Sequence, residues 1–342
     1  HATAINEEMK IAAVRAIANL AKHTVPELVS ETYSVSNLRF GPEYFIPKPV
    51  DQRLVTEVSV AVAKAAMASG VAQIEIEAWN AYRDHLNQLM GYESKLTRQI
   101  YDTARKSPQR VVFADGEHVN TLKAAVQARD EKFCIPILLG NPVHIIKLAH
   151  DLDLSLDGVE LINMRGDEEA TRRTRYATKL SQKLQRSGLA LDEAEDRLFN
   201  RDYFGMMMVE LGDADAFITG VYSKYADTIE VAKKIIGIRE GYNHFGTLHI
   251  LNCKKGPFFL ADTVINRLPN TASLIDIARL TERVVKIFNY DPVMAMVSFS
   301  NFGSDKGGSP EQAHQTVEYL HRNHPEIMID GEMQVNFALN KE

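Results

Sequence analysis

Apolar runs of strand length alternate with helical patterns through the middle of this sequence. The runs lie at 111–114, 135–139, 159–162 and 216–220, and the segments between them carry apolar residues at the spacing of amphipathic helices. Strands that alternate with helices favour parallel pairing, because the helix carries the chain back to the starting edge of the sheet. The pattern therefore predicts an α/β fold, with a largely parallel sheet that has helices on both faces.

The pattern after Gly241 predicts a second lobe. It has apolar runs at 247–252, 257–261 and 293–299, a helical pattern at 272–288 and a last short run at 327–329. The N-terminal segment holds two helical patterns around a proline-rich stretch, which is too little to bury a core alone. We therefore expect four parts: this segment at 1–73, a helical linker at 74–109, a first lobe at 110–245 and a second lobe at 246–342.

The charge balance argues against some classes of function. The net charge is -6 and the pI is near 6.0, which speaks against general binding to nucleic acid or to a membrane surface. No apolar run approaches the length of a transmembrane helix. The two cysteines, Cys134 and Cys253, stand in separate apolar runs without CxxC spacing, which suits a reducing compartment. We expect a cytoplasmic protein with no membrane or nucleic-acid partner.

The most informative polar stretch follows the apolar run at 293–297. Small and polar residues begin there abruptly, so hydroxyls, an amide and exposed backbone N–H groups are expected at the end of a strand. In open α/β sheets ligands bind outside the carboxyl ends of strands, and glycine lets the backbone approach a ligand closely. An ordinary polar turn before a helix near Pro310 explains the same residues equally well, and both interpretations stay open. The candidate ligand-binding residues are Ser298, Ser300, Asn301, Phe302, Gly303 and Ser304.

A second junction of strand, glycine and helix follows the run at 216–220. The N-terminus of its helix attracts anions, and its side chains add hydroxyl donors and one positive charge. Asp227 is expected to act as a helix N-cap. Asp262 ends a further apolar run, where it either orients a ligand or, in the interpretation we favour, caps the next turn. The candidate residues of the junction are Gly220, Tyr222, Ser223, Lys224 and Thr228.

Groups that move protons or hold metal ions do not converge in the sequence. The histidines flank one strand and accompany one helix, without Cys or Glu at metal-ligand spacing. There is no Walker motif, no GxSxG and no Rossmann GxGxxG. The polar junctions therefore predict ligand binding, with no catalytic residue and no metal site.

From Arg110 onward the sequence resembles the phosphate acetyltransferase family. The matching motifs are VFADGE at 112–117, PILLG at 136–140, FFLADT at 258–263, SFSNFGS at 298–304 and DGEMQ at 330–334. The N-terminal segment resembles the last part of the nucleotide-binding domain of bacterial malic enzymes, in ATAINEEMK at 2–10, FGPEYFIP at 40–47 and AKAAMASGVA at 63–72. This order of parts resembles the hybrid NADP-dependent malic enzymes, whose C-terminal domain is similar to phosphate acetyltransferases.

The resemblance implies both a fold and a function. The fold is two-lobed and phosphate acetyltransferase-like (isocitrate dehydrogenase-like), with parallel-rich sheets, a preceding helical segment and acyl-CoA between the lobes. The parent enzyme converts malate to pyruvate and CO2 with NADP and Mg²⁺ or Mn²⁺. Its appended domain serves as a regulatory acetyl-CoA sensor and an oligomerisation element. The implied partners are acetyl-CoA as effector, the malic enzyme catalytic domain and further copies of the chain in a homo-oligomer.

Three departures from the family patterns bear on activity. The NADP and metal residues of a malic enzyme would precede His1, so we expect this chain not to oxidise malate. Phosphate acetyltransferases carry an arginine soon after an Asp-Thr pair, where this chain has Glu230, and a carboxylate there would repel a phosphate. We retain Glu230 as a candidate coenzyme-site residue. The family's catalytic Ser-Arg loop would follow Glu342, so we expect the C-terminus to be truncated.

Three functions can be weighed on these observations. The first is a regulatory acetyl-CoA-binding module without transferase activity of its own. The second is an active phosphate acetyltransferase, which converts acetyl-CoA and phosphate to acetyl phosphate and CoA. The third, a metal-dependent hydroxyacid dehydrogenase, would need clustered aspartates, and Asp262 stands alone. We favour the first, because the polar junctions lack an acid–base pair.

Overall fold

The computed structural model describes residues 2–23, 25–33, 35, 38–90, 95–253 and 256–340. The chain forms two compact units. The first comprises residues 1–93 and 101–236, and the second comprises residues 94–100 and 237–342. None of the helices within the described ranges has the length and apolar character needed to span a bilayer.

The N-terminal part of the chain is helical, as its sequence pattern predicts. Asn6 caps the first helix by accepting a hydrogen bond from the Met9 amide at 3.0 Å. The first and third helices then pack against each other along their lengths. The helices are α1 (Glu7–Ala21), α2 (Glu27–Thr32), α3 (Arg53–Ala68), α4 (Trp79–Met90) and α5 (Lys95–Lys106).

Within the described residues, the first unit also contains a four-stranded sheet in the order β3-β2-β1-β4, with all neighbours parallel. The parallel sheet expected from the alternating pattern is therefore confirmed. The predicted run at 216–220 is longer than the strand, which ends at Ile218. The elements in chain order are β1 (Gln109–Phe113), α6 (Val119–Asp130), β2 (Cys134–Leu139), α7 (Pro142–Asp151), β3 (Glu160–Ile162), α8 (Ala170–Leu184), α9 (Leu191–Arg197), α10 (Arg201–Glu210), β4 (Ala216–Ile218) and α11 (Tyr225–Ile235).

Successive side chains of the central strands enter two separate cores. Val112 and its register partner Ile137 are buried with residues of α8, α10 and α11. Phe113 and its partner Leu138 are buried with residues of α6 and α7. Because side chains alternate along a strand, these two cores lie on opposite faces of the sheet. Helices therefore cover both faces, which explains why these strands read as continuous apolar runs.

The described part of the second unit contains two small sheets. The first is an antiparallel hairpin, and the second is a parallel pair packed with two helices around Leu320 and Ile329. The predicted last strand at 327–329 is wrong in its bounds, because the pairing runs from Ile329 through Asp330 and Gly331 to Met333. The elements are β5 (Leu248–Cys253), β6 (Gly256–Ala261), α12 (Thr271–Ile287), β7 (Met294–Val297), α13 (Gly308–Asn323), β8 (Ile329–Met333) and α14 (Val335–Ala338).

Candidate functional site

In the first unit, a buried carboxylate lies directly after β1. Asp115 is 1% exposed and accepts hydrogen bonds from Arg201 Nη1 at 2.9 Å and from the Val221 amide at 3.1 Å. Val221 belongs to the polar loop that follows β4. The carboxylate therefore fixes the start of that loop against the carboxyl end of the sheet, where ligands of open α/β folds bind.

A second buried carboxylate joins the two ends of the same loop. Asp202 is 3% exposed and lies in the first turn of α10, where Asn200 caps the helix. It accepts hydrogen bonds from Thr219 Oγ1 at 2.8 Å and from Thr228 Oγ1 at 3.1 Å. The junction predicted as a ligand site is therefore held by acids from two other segments. The hydroxyl of the candidate Thr228 is directed at one of these acids.

The exposed side of this loop carries aromatic and basic groups. The Tyr222 ring lies 5.3 Å from the Arg201 guanidinium and 5.7 Å from the His118 ring. Lys224 is exposed at the N-cap position of α11, so the expectation that Asp227 is the N-cap is wrong. Asp227 instead lies in the first helical turn, where a negative charge interacts favourably with the helix dipole. The candidates Gly220 and Ser223 belong to the same loop, with Gly220 at a φ of +128°.

Glu230 lies on the exposed surface of α11. It forms an ion pair with Lys234 one turn later, with 2.5 Å between Oε1 and Nζ. The pKa of Glu230 lies below its ordinary value, mainly because of the hydrogen bond from Lys234. The residue therefore carries a negative charge at neutral pH on the exposed surface of this helix.

In the second unit, the polar loop at 298–304 follows β7 and is bound to the end of β8. The Ser298 amide donates to Met333 O at 2.9 Å, and the Phe302 amide donates to Glu332 O at 2.8 Å. Asn301 Oδ1 accepts a hydrogen bond from the Gln334 amide at 2.8 Å. The loop thus has a fixed conformation, set by the DGEMQ segment that follows it in the chain.

The expectation that this loop exposes free backbone N–H groups is wrong for residues 301–305. The amides of five consecutive residues donate hydrogen bonds within the protein. Their acceptors are Ser304 Oγ for Asn301, Glu332 O for Phe302, Glu332 Oε1 for Gly303, Asn301 O for Ser304 and Ser300 Oγ for Asp305. The physical reason is that one carboxylate, two serine hydroxyls and two main-chain carbonyls of the protein already supply the acceptors.

The carboxylate of Glu332 is the centre of this arrangement. Its side chain is fully buried, and Oε1 accepts from the Gly303 amide at 2.5 Å and from Ser300 Oγ at 3.4 Å. Oε2 lies 3.5 Å from His314 Nδ1 but makes no hydrogen bond within the described part of the chain. Burial raises the pKa of Glu332, but the hydrogen bond from Gly303 and the neighbouring His314 more than offset this, and the pKa lies below its ordinary value.

The carboxylate of Asp262 makes hydrogen bonds that hold the local backbone in place. Its carboxylate accepts from the amide and hydroxyl of Thr247 and from the amide and side chain of Asn266. Burial raises the pKa of Asp262, and these donors lower it further than burial raises it. The contacts match the interpretation that Asp262 caps a turn.

The structure thus groups the candidates by unit. Gly220, Tyr222, Ser223, Lys224 and Thr228 share one loop of the first unit, and Glu230 follows on its helix. Ser298, Ser300, Asn301, Phe302, Gly303 and Ser304 share one loop of the second unit, and Asp262 lies at the end of a separate hairpin. Among the described residues, no group of three or more His, Cys, Asp or Glu side chains could hold a metal ion.

The residues that the sequence analysis missed are Asp115, Asp202, Arg201 and Glu332. Two of them could have been found from the sequence, because Asp115 and Glu332 lie beside apolar runs inside the quoted family motifs. Asp202 could not, since an acid after Asn200 is typical of an ordinary helix start.

Comparisons with known proteins agree with this fold. Residues 95–342 match the family model described as phosphate acetyl/butaryl transferase. A phosphate acetyltransferase from Thermoanaerobacterium thermosaccharolyticum is 30% identical over 254 residues, which cover 72% of this chain and 76% of that protein. The solved structure of a phosphotransacetylase from Streptococcus pyogenes aligns with a TM-score of 0.63 at 26% identity, over 73% of this chain and 76% of that chain.

The similarity to malic enzymes extends over almost the whole chain. The NADP-dependent malic enzyme of Escherichia coli is 38% identical over 343 residues, which cover 99% of this chain and 45% of that enzyme. The chain therefore spans less than half the length of this relative. Both resemblances seen in the sequence are confirmed, and the α/β phosphate acetyltransferase-like fold is confirmed with them. The chain belongs to the phosphate acetyltransferase family.

Proposed function

We propose that this chain is the regulatory part of a cytoplasmic NADP-dependent malic enzyme, which converts malate to pyruvate and CO2. In this proposal the chain binds acetyl-CoA as an effector, mediates homo-oligomer formation and contacts the malic enzyme catalytic domain. NADP and Mg²⁺ or Mn²⁺ would be bound by that domain, outside this chain. The observation that carries the proposal is that 38% identity to a malic enzyme continues over 99% of the chain.

The chemistry of the two polar loops supports a sensor without transferase activity. Acetyl transfer from CoA to phosphate needs a base to form a thiolate and cationic donors for the phosphate and the oxyanion. At the corresponding point of α11 the chain presents the ionised Glu230, and the loop at 298–304 encloses the carboxylate of Glu332. The charge of Glu230 disfavours a phosphate ion, whereas hydroxyl and aromatic side chains suit an acyl-CoA.

The proposal is tested in two steps on the chain and on the malic enzyme that contains it. Isothermal titration of the chain with acetyl-CoA is expected to show saturable binding, and acetyl-CoA is expected to change the rate of malate oxidation by the longer enzyme. If acetyl-CoA changes the equilibrium affinity for malate, malate must by linkage change the affinity for acetyl-CoA by the same factor. Absence of binding at millimolar acetyl-CoA would refute the proposal.

An active phosphate acetyltransferase is the second candidate function. It is favoured by the 30% identity to a phosphate acetyltransferase over 76% of that protein. The assay is formation of acetyl phosphate from acetyl-CoA and phosphate by the purified protein. We expect none, and turnover that persists after repeated purification would reverse the ranking of the two functions.

A further inference from the structure

The buried carboxylate of Glu332 has one oxygen without a hydrogen-bond partner. Oε1 accepts the Gly303 amide at 2.5 Å, whereas Oε2 is buried and makes no hydrogen bond within the described part of the chain. Although burial raises it, the pKa of Glu332 lies below its ordinary value, so the side chain is ionised at neutral pH. A buried charge is costly unless a donor or an opposite charge compensates it. The Oε2 atom therefore needs a positive charge nearby.

His314 of α13 is placed to supply that charge. Its Nδ1 lies 3.5 Å from Glu332 Oε2, and its Nε2 lies 3.7 Å from Glu318 Oε1. Each ring nitrogen thus faces one carboxylate. The His314 side chain is 47% exposed, so it exchanges protons with the solvent directly. A protonated ring is attracted to both carboxylates, whereas a neutral ring at these distances contributes little.

The other charged groups around α13 leave this position to His314. Glu318 also pairs with Arg322 at 3.3 Å, and β7, which packs against α13, has no charged side chain. His321 is a second titratable group between α13 and β8, but its Nε2 contacts a neutral acceptor, Ile329 O, at 2.8 Å. Among the described residues, the charged side chains of α12, of the loop before α13 and of the start of β8 form no ion pair with the His314 ring; they are Asp276, Arg279, Glu282, Arg283, Lys286, Asp305, Lys306 and Asp330.

We infer that His314 is a positioning residue for the polar loop at 298–304. Its protonated ring compensates the Glu332 carboxylate, which receives the Gly303 amide and thereby fixes the loop. The loop is held more firmly while His314 is protonated, and this contribution is lost as the pH rises and the ring becomes neutral. It is lost again in acid, when Glu332 itself takes up a proton. The inference goes beyond the proposed function, because it holds for whichever ligand the loop binds.

Hydrogen exchange of the Gly303 amide tests the inference on the chain without ligand. The measurement is a protection factor, which corrects for the intrinsic pH dependence of exchange. Histidine side chains change charge between about pH 5 and pH 8. Across this range the wild-type protection factor is expected to fall about three- to fivefold, the size expected of one partly exposed ion pair. His314→Gln is expected to show the lower protection at both ends of the range, and His314→Lys, which stays charged, the higher protection at both.

Three further variants separate His314 from other titrating groups. His249 is exposed on β5 of the same unit, so His249→Gln is the matched control and is expected to keep the wild-type pH dependence. His321→Gln is expected to keep it as well, because the His321 ring contacts a neutral carbonyl. Glu332→Gln removes the charge that the His314 ring compensates, and it is expected to abolish the pH dependence. Exchange of the core amides of α13 shows in each case that the second unit is folded.

A purely structural contact of His314 predicts a different result. His314→Gln would then lower the protection of Gly303 by the same factor at both ends of the pH range. That result would overturn the inference. A wild-type protection factor that does not change with pH, or a pH dependence that survives in His314→Gln or disappears in His321→Gln, would overturn it as well.

Discussion

Replacing Asp202 with alanine is expected to destabilise the first unit strongly. The carboxylate is 3% exposed and accepts hydrogen bonds from Thr219 Oγ1 at 2.8 Å and Thr228 Oγ1 at 3.1 Å. Alanine removes both acceptors and leaves two hydroxyls without a partner. A hydrogen bond to a charged group contributes roughly 1.5–3 kcal/mol, so we expect the free energy of unfolding to fall by about 3 kcal/mol.

Replacing Asp202 with asparagine keeps the shape of the side chain and removes its charge. Its oxygen can accept from Thr219, and the Thr228 hydroxyl can accept from its NH₂ group, so both contacts survive with one donor reversed. We expect Asp202→Asn to cost less than about 1.5 kcal/mol. Asp192→Ala is the matched control, because Asp192 lies in the first turn of α9 but is exposed. The control is expected to cost no more than about 1 kcal/mol, which is the helix-dipole contribution alone.

The assay is urea unfolding followed by far-UV circular dichroism, with the slope of each transition compared among the variants. A double-mutant cycle of Asp202→Ala with Thr228→Val isolates the contact and is expected to give a coupling of about 1–2 kcal/mol. Additive losses, or an Asp202→Ala variant within about 0.5 kcal/mol of the wild type, would show that Asp202 does not join the two ends of the loop.

Three further predictions follow from single sites. Glu230→Arg is expected to tighten acetyl-CoA binding by up to about fivefold, which is the contribution of one exposed ion pair. Calorimetric titration of Glu230→Gln with acetyl-CoA shows how much of this gain comes from removing the negative charge, and the remainder comes from adding the positive charge. If neither variant changes affinity, Glu230 is not part of the site. The pKa of Asp262 is lowered in the folded state, so its stabilisation is fully present above the unfolded pKa near 3.9 and is lost as the pH falls through the folded value. Asp262→Asn should therefore show a shallower acid loss of unfolding free energy than the wild type, and parallel pH curves would contradict this. A Cβ at Gly205 would lie 2.2 Å from the Phe217 ring, so Gly205→Ala is expected to lower stability by about 1–3 kcal/mol despite its better helix propensity. In thermal unfolding, the double variant Gly205→Ala, Phe217→Leu is expected to regain most of the stability that Gly205→Ala loses. If it regains none, the loss does not come from a clash with the Phe217 ring.

The sequence predicts the central sheet well because buried parallel strands leave a strong pattern. Residues such as Val112 and Phe113 are both apolar because helices cover both faces. The bounds of β8 are harder to predict from the sequence, because Asp330, Gly331 and Glu332 form a combination that is typical of a turn. Pairing with β7 and burial of Glu332 override that local preference.

The loop amides show why the candidate site could be only partly predicted. Which residues form the polar junctions can be seen in the sequence, because they follow apolar runs. Whether the Gly303 N–H group is free depends on an acceptor 29 residues later in the chain, the Glu332 carboxylate. In the same way, the partners of Thr219 and Thr228 come from α10, and no local spacing links them to Asp202.

The Glu332 carboxylate differs from a dissolved ion in one further respect. It is covalently tethered, so its local concentration at the loop is set by the chain and does not fall on dilution. A free anion would have to exceed that effective concentration before it could compete. The conformation of the loop is consequently set by the chain itself, through a contact that persists at any protein concentration.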